Sequence, residues 1–275
     1  MKNEYRYTWI DQISNRSMGE ADIVSFGSEG CLVPVLYIDR CWPLFLTLLE
    51  KKERLKIVTP RISQNELRNA IDLLDRIVAL NIPLDIVIND WGILKYCSIR
   101  NSVFKIHIGR QLSRSLVDCP WHDEILRNEK IGVQEIMKEH PFNSTRLIKT
   151  FEEIGVVGIE LNSLERGMNL NFLFGSNMEV SIHEKNYLVT CGRTCLAQKM
   201  VQNVPCHELC DKQYELVLAG KWCNVFQSQD EVSEYEKGLL NGLSVSGKKV
   251  LLPQKLSFEE ICACGVNVMI NSQNI

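Results

Sequence analysis

LKIVTPRISQNELRNAIDLLDRIVALNIPLDIVIND, residues 55–90, is the stretch whose reading decides the fold. Residues 55–59 form a short apolar run that reads as a buried strand. Ser63 stands three residues before Glu66, the capping-box signature of a helix start, and Leu67, Ile71, Leu74 and Ile77 then recur at helical spacing. Pro83 ends that helix, and residues 84–88 return as strand. Two strands separated by a helix of this length cannot be a hairpin. They imply parallel pairing through a right-handed crossover.

The same unit recurs outward from this stretch. Residues 22–26 and 33–38 read as strands and 43–53 as a helix; 93–99 read as a short helix and 104–108 as strand; 144–154 read as a helix and 156–161 as strand. The expected class is α/β, a (β/α) barrel or barrel-like variant. A doubly wound open sheet is the alternative, although no glycine-rich phosphate loop follows any early strand. From about Phe172 the rhythm changes. Residues 178–182 and 186–190 look like paired short strands, 242–247 like a flexible turn, 249–252 like a strand, 258–263 like a short helix and 266–270 like a closing strand. No linker rich in proline, glycine or serine, no internal repeat and no low-complexity tract divides the chain, so residues 1–275 are expected to form a single domain.

Composition limits what such a domain does. The chain has 275 residues, 45% hydrophobic and 24% charged, enough to bury a sizeable core. A net charge of -3 and the lack of a long basic run give no electrostatic footprint for nucleic acid. The opening MKNEYRYTWIDQISNRS has no apolar signal core, and no apolar stretch reaches spanning length. A cytoplasmic location is expected, where thiols stay reduced and the 11 cysteines are poorly explained as disulfides.

Four of those cysteines crowd CGRTCLAQKMVQNVPCHELC, where Cys191, Cys195, Cys206 and Cys210 are spaced C-x3-C-x10-C-x3-C. Two close pairs could clamp one tetrahedral zinc ion, although zinc pairs more often have two or four intervening residues. A thioredoxin-type dithiol needs C-x-x-C, which neither pair has. An iron–sulfur cluster needs four reachable thiolates, often with one arriving from far away in sequence. Cys97, Cys119, Cys223, Cys262 and Cys264 stand on apolar or mixed segments and read as small buried apolar residues.

Residues 20–31, EADIVSFGSEGC, resemble the early strand of the UbiV-type branch of the collagenase-like peptidase superfamily, an "A-D-x-x-Y-L-G" run followed by a cysteine. Cys195, Cys206 and Cys210 resemble that branch's later trio. Residues 109–115, GRQLSRS, are similar to its "G-x-x-L-N" segment, residues 158–161 to a strand leading to a glutamate, and residues 250–273 to its terminal strand–helix–strand. The likeness covers about three quarters of the chain.

The resemblance implies a [4Fe–4S] cluster held by Cys31, Cys195, Cys206 and Cys210, with these cysteines on a loop at the carboxyl rim of the barrel. Where the family reads "S-G-R-C" this chain reads Cys191-Gly192-Arg193-Thr194-Cys195, so the match shifts by one residue to Cys195, with Cys191 as its substitute. The branch acts in oxygen-independent hydroxylation of small-molecule substrates during ubiquinone biosynthesis, as a heterodimer with a UbiU-type paralogue. Other members serve hydroxylation of transfer and ribosomal RNA or are labelled peptidases, but the histidine–glutamate features of the latter are absent around Cys195. The reading from a different class is a zinc-stabilised, non-catalytic barrel that serves as an interaction module.

Other polar residues have plainer readings. Arg193 either offsets thiolate charge or is a solvated surface residue. His207 either bonds a cluster sulfur or lies exposed on a loop. His107 and His183 alternate with apolar neighbours and read as structural histidines, and the pairs Glu152-Glu153 and Glu259-Glu260 as solvated helix faces.

Overall fold

The computed structural model describes residues 2–51, 54–114, 129–137, 139–162, 169–173, 175–183, 186–201, 203–215, 244–246, 248–253 and 268–273. Strands β1 (Lys2–Tyr7), β2 (Ile23–Gly27), β3 (Leu55–Val58), β4 (Leu84–Ile88), β5 (Phe104–Ile108), β6 (Val156–Asn162) and β7 (Glu179–His183) belong to one parallel sheet. Strands β8 (Asn186–Cys191), β9 (Tyr214–Glu215), β10 (Ser244–Ser246) and β11 (Lys249–Pro253) form a separate antiparallel sheet in the order β8-β11-β10-β9. The last strand, β12 (Val268–Gln273), pairs in parallel with both β7 and β1 and closes an eight-stranded barrel. The expected α/β barrel is therefore present, with the small sheet inserted between its seventh and eighth strands. No described helix is long and apolar enough to cross a membrane.

Helices Trp42–Lys51, Gln64–Ala79 and Trp91–Ser98 connect β2 to β3, β3 to β4 and β4 to β5, and Thr145–Glu153 precedes β6. Their apolar faces meet the outward faces of the strands. Phe26 of β2 contacts Phe45 edge to face with ring centres 6.3 Å apart, and Leu73, Leu74 and Ile77 join Ile57 and Ile86 in the same continuous core. The Gln64–Ala79 helix begins where the sequence places it. The Ser63 backbone N–H donates to Glu66 Oε2 at 3.3 Å and the Ser63 hydroxyl to the same oxygen at 2.6 Å.

Three sequence expectations need correction, and one strand has no counterpart among them. Residues 33–38 are not a strand: Val33–Leu36 is a helical turn that runs into a 3-10 helix at Tyr37–Cys41. Pro34 sits in the first turn, where its missing N–H costs nothing, and an apolar run this short carries no period that separates strand from helix. The runs at 178–182 and 186–190 do not pair with each other. β7 pairs with β6 and β12, while β8 pairs with β11. The expected turn at 242–247 contains β10, and β1 was not expected at all. The helix expected at 258–263 lies outside the described residues.

The barrel interior departs from the usual stack of branched aliphatic side chains. Every second residue of several strands is polar and buried: Glu4 and Arg6 on β1, Ser25 on β2, Lys56 on β3, Asp85 on β4, His107 on β5, Glu160 on β6, and Ser181 and His183 on β7. Their bonds cross the lumen. Arg6 pairs with both oxygens of Glu160, one of them at 3.0 Å, and with Glu4 Oε1 at 3.0 Å, while Lys56 reaches Glu4 Oε2 at 2.8 Å. Arg54 lies between Asp85 Oδ2 at 2.5 Å and Glu179 Oε2 at 2.7 Å, and His107 Nε2 approaches Asp85 at 3.3 Å. The apolar core is thus the shell between strands and helices, and the lumen is a paired-charge network.

Candidate functional site

Beyond the carboxyl ends of the strands, one buried ion pair organises the chain. Arg110, two residues past β5, donates from Nε and Nη2 to the two oxygens of Glu29 at 2.7 and 2.6 Å. Its Nη1 donates to Asn162 Oδ1 at 3.0 Å and to the Asn186 carbonyl at 2.8 Å, joining the end of β6 to the start of β8. Burial would raise the Glu29 carboxyl, but the Arg110 guanidinium outweighs it and holds the group at about 2. The Gln111 side-chain amide also donates to the Glu29 carbonyl. The loop that carries Cys31 is therefore fixed two residues upstream of the cysteine. Gly27, at φ 111°, makes the turn out of β2, and a Cβ there would strike the Val58 carbonyl oxygen.

Cys31 is 8% exposed, and its thiol is pushed up by burial, partly offset by the Val33 backbone N–H and Lys248 and reinforced by Cys206 and Cys195. Cys210 is raised by burial first and then by Cys206 and Cys31. The Cys206 and Cys210 sulfurs are 4.0 Å apart. Cys195, Cys206 and Cys210 thus each lie within electrostatic reach of Cys31, although Cys31 is remote from them in sequence. Local structure aims them. Cys195 caps the helix Leu196–Met200 and accepts from the Gln198 N–H at 3.5 Å, while Cys206 opens the helix Cys206–Leu209 and Cys210 closes it. Ser246 Oγ on β10 donates to the Cys210 carbonyl at 2.6 Å, tying this turn to the small sheet.

Cys191 is placed differently. It pairs with Lys249 across β8 and β11, and its thiol is pushed up to about 12 by burial and then by Glu29, with Lys249, Arg110 and Arg114 opposing. Cys97 is fully buried on the helix Trp91–Ser98, as expected of a small apolar residue, and Cys41 is half-buried; Cys119, Cys223, Cys262 and Cys264 lie outside the described residues. His207 bonds no cysteine sulfur among the described residues. It lies 3.1 Å from Asp11 Oδ2 and 4.6 Å, ring to ring, from Trp9, so it fastens the cysteine turn to the segment after β1. Arg193 is exposed.

A cavity of about 250 Å³, lined by both polar and apolar groups, reaches this group at Cys210. Tyr7, Gly27 and Val58, the last residues of β1, β2 and β3, form one side of it. Cys210, Ser246 and Lys249 form another, and Arg6 and Glu29 also line it. The charged lumen of the barrel therefore meets the cavity through Arg6. The cavity and the lumen charges were missed in the sequence; the signal was there, in strands such as E-Y-R, S-I-H and I-E-L-N whose polar residues recur with period two.

Glu29, Glu160 and His183 each offer a ligand atom within 4.8 Å of the others. The two carboxylates are already met by cations, Glu29 by Arg110 and Glu160 by Arg6. That group reads as part of the charge network, and His107 and His183 are buried structural histidines with carboxylate partners, as expected. Comparison with protein-family models, with curated proteins and with solved structures returns no match to this chain.

Proposed function

We propose that this chain is an iron–sulfur protein whose [4Fe–4S] cluster is held by Cys31, Cys195, Cys206 and Cys210 on loops at the carboxyl rim of the barrel, and that it enables an oxygen-independent hydroxylation of a small molecule. The observation that carries the reading is that Cys31 lies within electrostatic reach of three cysteines more than 160 residues away, one of which, Cys210, lines a cavity at the barrel mouth. The donors fit the group: four thiols from two segments, with backbone N–H groups of Val33 and Gln198 directed at two of the sulfurs. Zinc is the alternative occupant: the Cys206 and Cys210 sulfurs are 4.0 Å apart, close to the roughly 3.8 Å that Zn–S bonds of 2.3 Å give tetrahedral thiolates, so metal analysis separates the two readings.

The bound cluster would supply one-electron chemistry at the cavity wall. Overall, the reaction class converts R–H and an oxygenated donor D–O, other than dioxygen, into R–OH and D. This chain's residues bind and orient. Cys210 brings the ligand set to the cavity, while Arg6 and Lys249 present cations and Ser28 and Ser246 lie among the lining polar groups. The Arg110–Glu29 pair keeps the Cys31 loop from shifting. Anaerobic purification with iron, sulfide and zinc analysis tests the reading. Iron and sulfide with broad absorbance near roughly 400 nm are expected; a colourless protein carrying one zinc ion overturns it.

A partner completes the site. Val33 and Met200, close in sequence to Cys31 and Cys195, are 47% and 48% exposed, apolar surface a partner could cover, and a cluster at those cysteines needs shielding from oxygen. The partner implied by the resemblance is a UbiU-type, cysteine-bearing paralogue. Co-expression followed by size-exclusion chromatography under nitrogen is expected to give a heterodimer, and a cluster-loaded chain fully active alone overturns that assignment.

A further inference from the structure

Two lysines stand over the cysteine site in fixed positions. Lys249 lies on β11 opposite Cys191, and Lys248, the turn residue just before that strand, accepts through its carbonyl from the Gly192 N–H at 2.9 Å, so both lysines are tied to the cysteine-bearing segment. Gly30, next to Cys31, leaves room for them. A Cβ on Gly30 would lie 3.2 Å from Lys249 Cγ and 3.3 Å from Lys248 Cβ, so both stems pack against the Cys31 loop. Lys248 acts electrostatically on Cys31, and Lys249 acts on Cys210 and lines the cavity. No ion pair joins either ammonium to a carboxylate among the described residues, unlike Arg6, Arg54, Lys56 and Arg110.

We propose that Lys248 and Lys249 form a cationic pair that sets the reduction potential of the cluster. This rests on the cluster reading above. Four thiolates around a [4Fe–4S] core already carry net negative charge, and taking up one electron adds another. Fixed cations at the ligands favour the more negative, reduced form and raise the potential. Their reach is not lost to solvent, since both lysines are half-buried. The electron arrives from a one-electron donor, in the test dithionite, and no proton or ligand exchange is needed. Gly30 is part of the device, because a side chain there would push the lysine stems away.

The test is a redox titration under nitrogen with dithionite and mediators, following the reduced cluster by electron paramagnetic resonance. Lys249→Gln and Lys248→Gln are each expected to lower the reduced-to-oxidised ratio at fixed solution potential about tenfold, which is 59 mV for one electron. Lys249→Arg, which keeps the charge, is expected to stay near wild type, as is the remote Lys95→Gln. Should Lys249→Gln load poorly, Lys248→Gln carries the same readout. Iron-free wild type sinks the cluster reading and this proposal together. A loaded wild type whose glutamine variants titrate at the wild-type potential sinks the proposal alone.

Discussion

At the scale of single residues, position separates cysteines that composition cannot. Cys191 and Cys195 are equivalent candidates by spacing; Cys195 acts electrostatically on the Cys31 thiol, while Cys191, on β8 opposite Lys249, places its sulfur 3.4 Å from where a Cβ on Gly30 would stand. The expected outcome is a clear split in iron content. Cys31→Ala leaves one iron without a thiolate and should cut cluster-bound iron at least about tenfold, since loss of even an outer partner of a metal ligand costs that much. Cys191→Ala and Cys97→Ala should keep wild-type iron. Iron and sulfide analysis after anaerobic purification checks both arms, and iron loss in Cys191→Ala with retention in Cys195→Ala would reverse the ligand choice.

At the scale of elements, β6 shows how a strand is shaped by what it encloses. Gly158 faces the lumen, and a Cβ there would approach Glu179 O at 2.9 Å and His107 Cε1 at 3.1 Å, with His107 Nδ1 nearer still. The imidazole occupies the space a side chain would need. Gly158→Ala should cost roughly 1–3 kcal/mol as an overpacking change, measured by urea unfolding. Adding His107→Ala should recover part of that loss, so the double variant falls short of additivity; strict additivity would falsify the contact. Strand and helix order was legible for 55–108 because apolar residues there keep a clean period. It was not legible for residues 33–38, where a short apolar run carries no period, nor for Lys2–Tyr7, whose alternating charges find partners only in a closed lumen. The cysteine trio was visible as spacing. The cavity was not, because its walls come from five separate segments of the chain.

For the whole molecule, burying titratable side chains, in the barrel and outside it, makes stability depend on pH in a defined window. His140 shows the cause most clearly. Its Nε2–H donates to the Ser113 carbonyl at 2.6 Å, and its Nδ1 accepts from the Phe142 N–H at 3.1 Å, with the ring stacked on Phe172. A proton on Nδ1 would set two donors against each other, so only the neutral ring fits. Burial holds His140 down at about 4 despite the Ser113 bond, and burial followed by Arg110 and Arg6 holds His183 at about 4. Both lie below the unfolded value of about 6.5. The unfolded chain therefore binds these protons first. Stability is complete above roughly pH 6.5, falls as pH drops toward 4, and the two histidines steepen the slope by up to about 2.7 kcal/mol per pH unit. Below that, Glu29, with its carboxyl at about 2, continues the loss as its pairing to Arg110 is protonated away. Thermal unfolding midpoints at pH 7, 6 and 5 should fall steadily. His140→Gln, which cannot titrate, should lose stability at pH 7 but show a slope shallower by about one proton. A midpoint unchanged between pH 7 and 5, or an unaltered slope in His140→Gln, would place the acid sensitivity elsewhere.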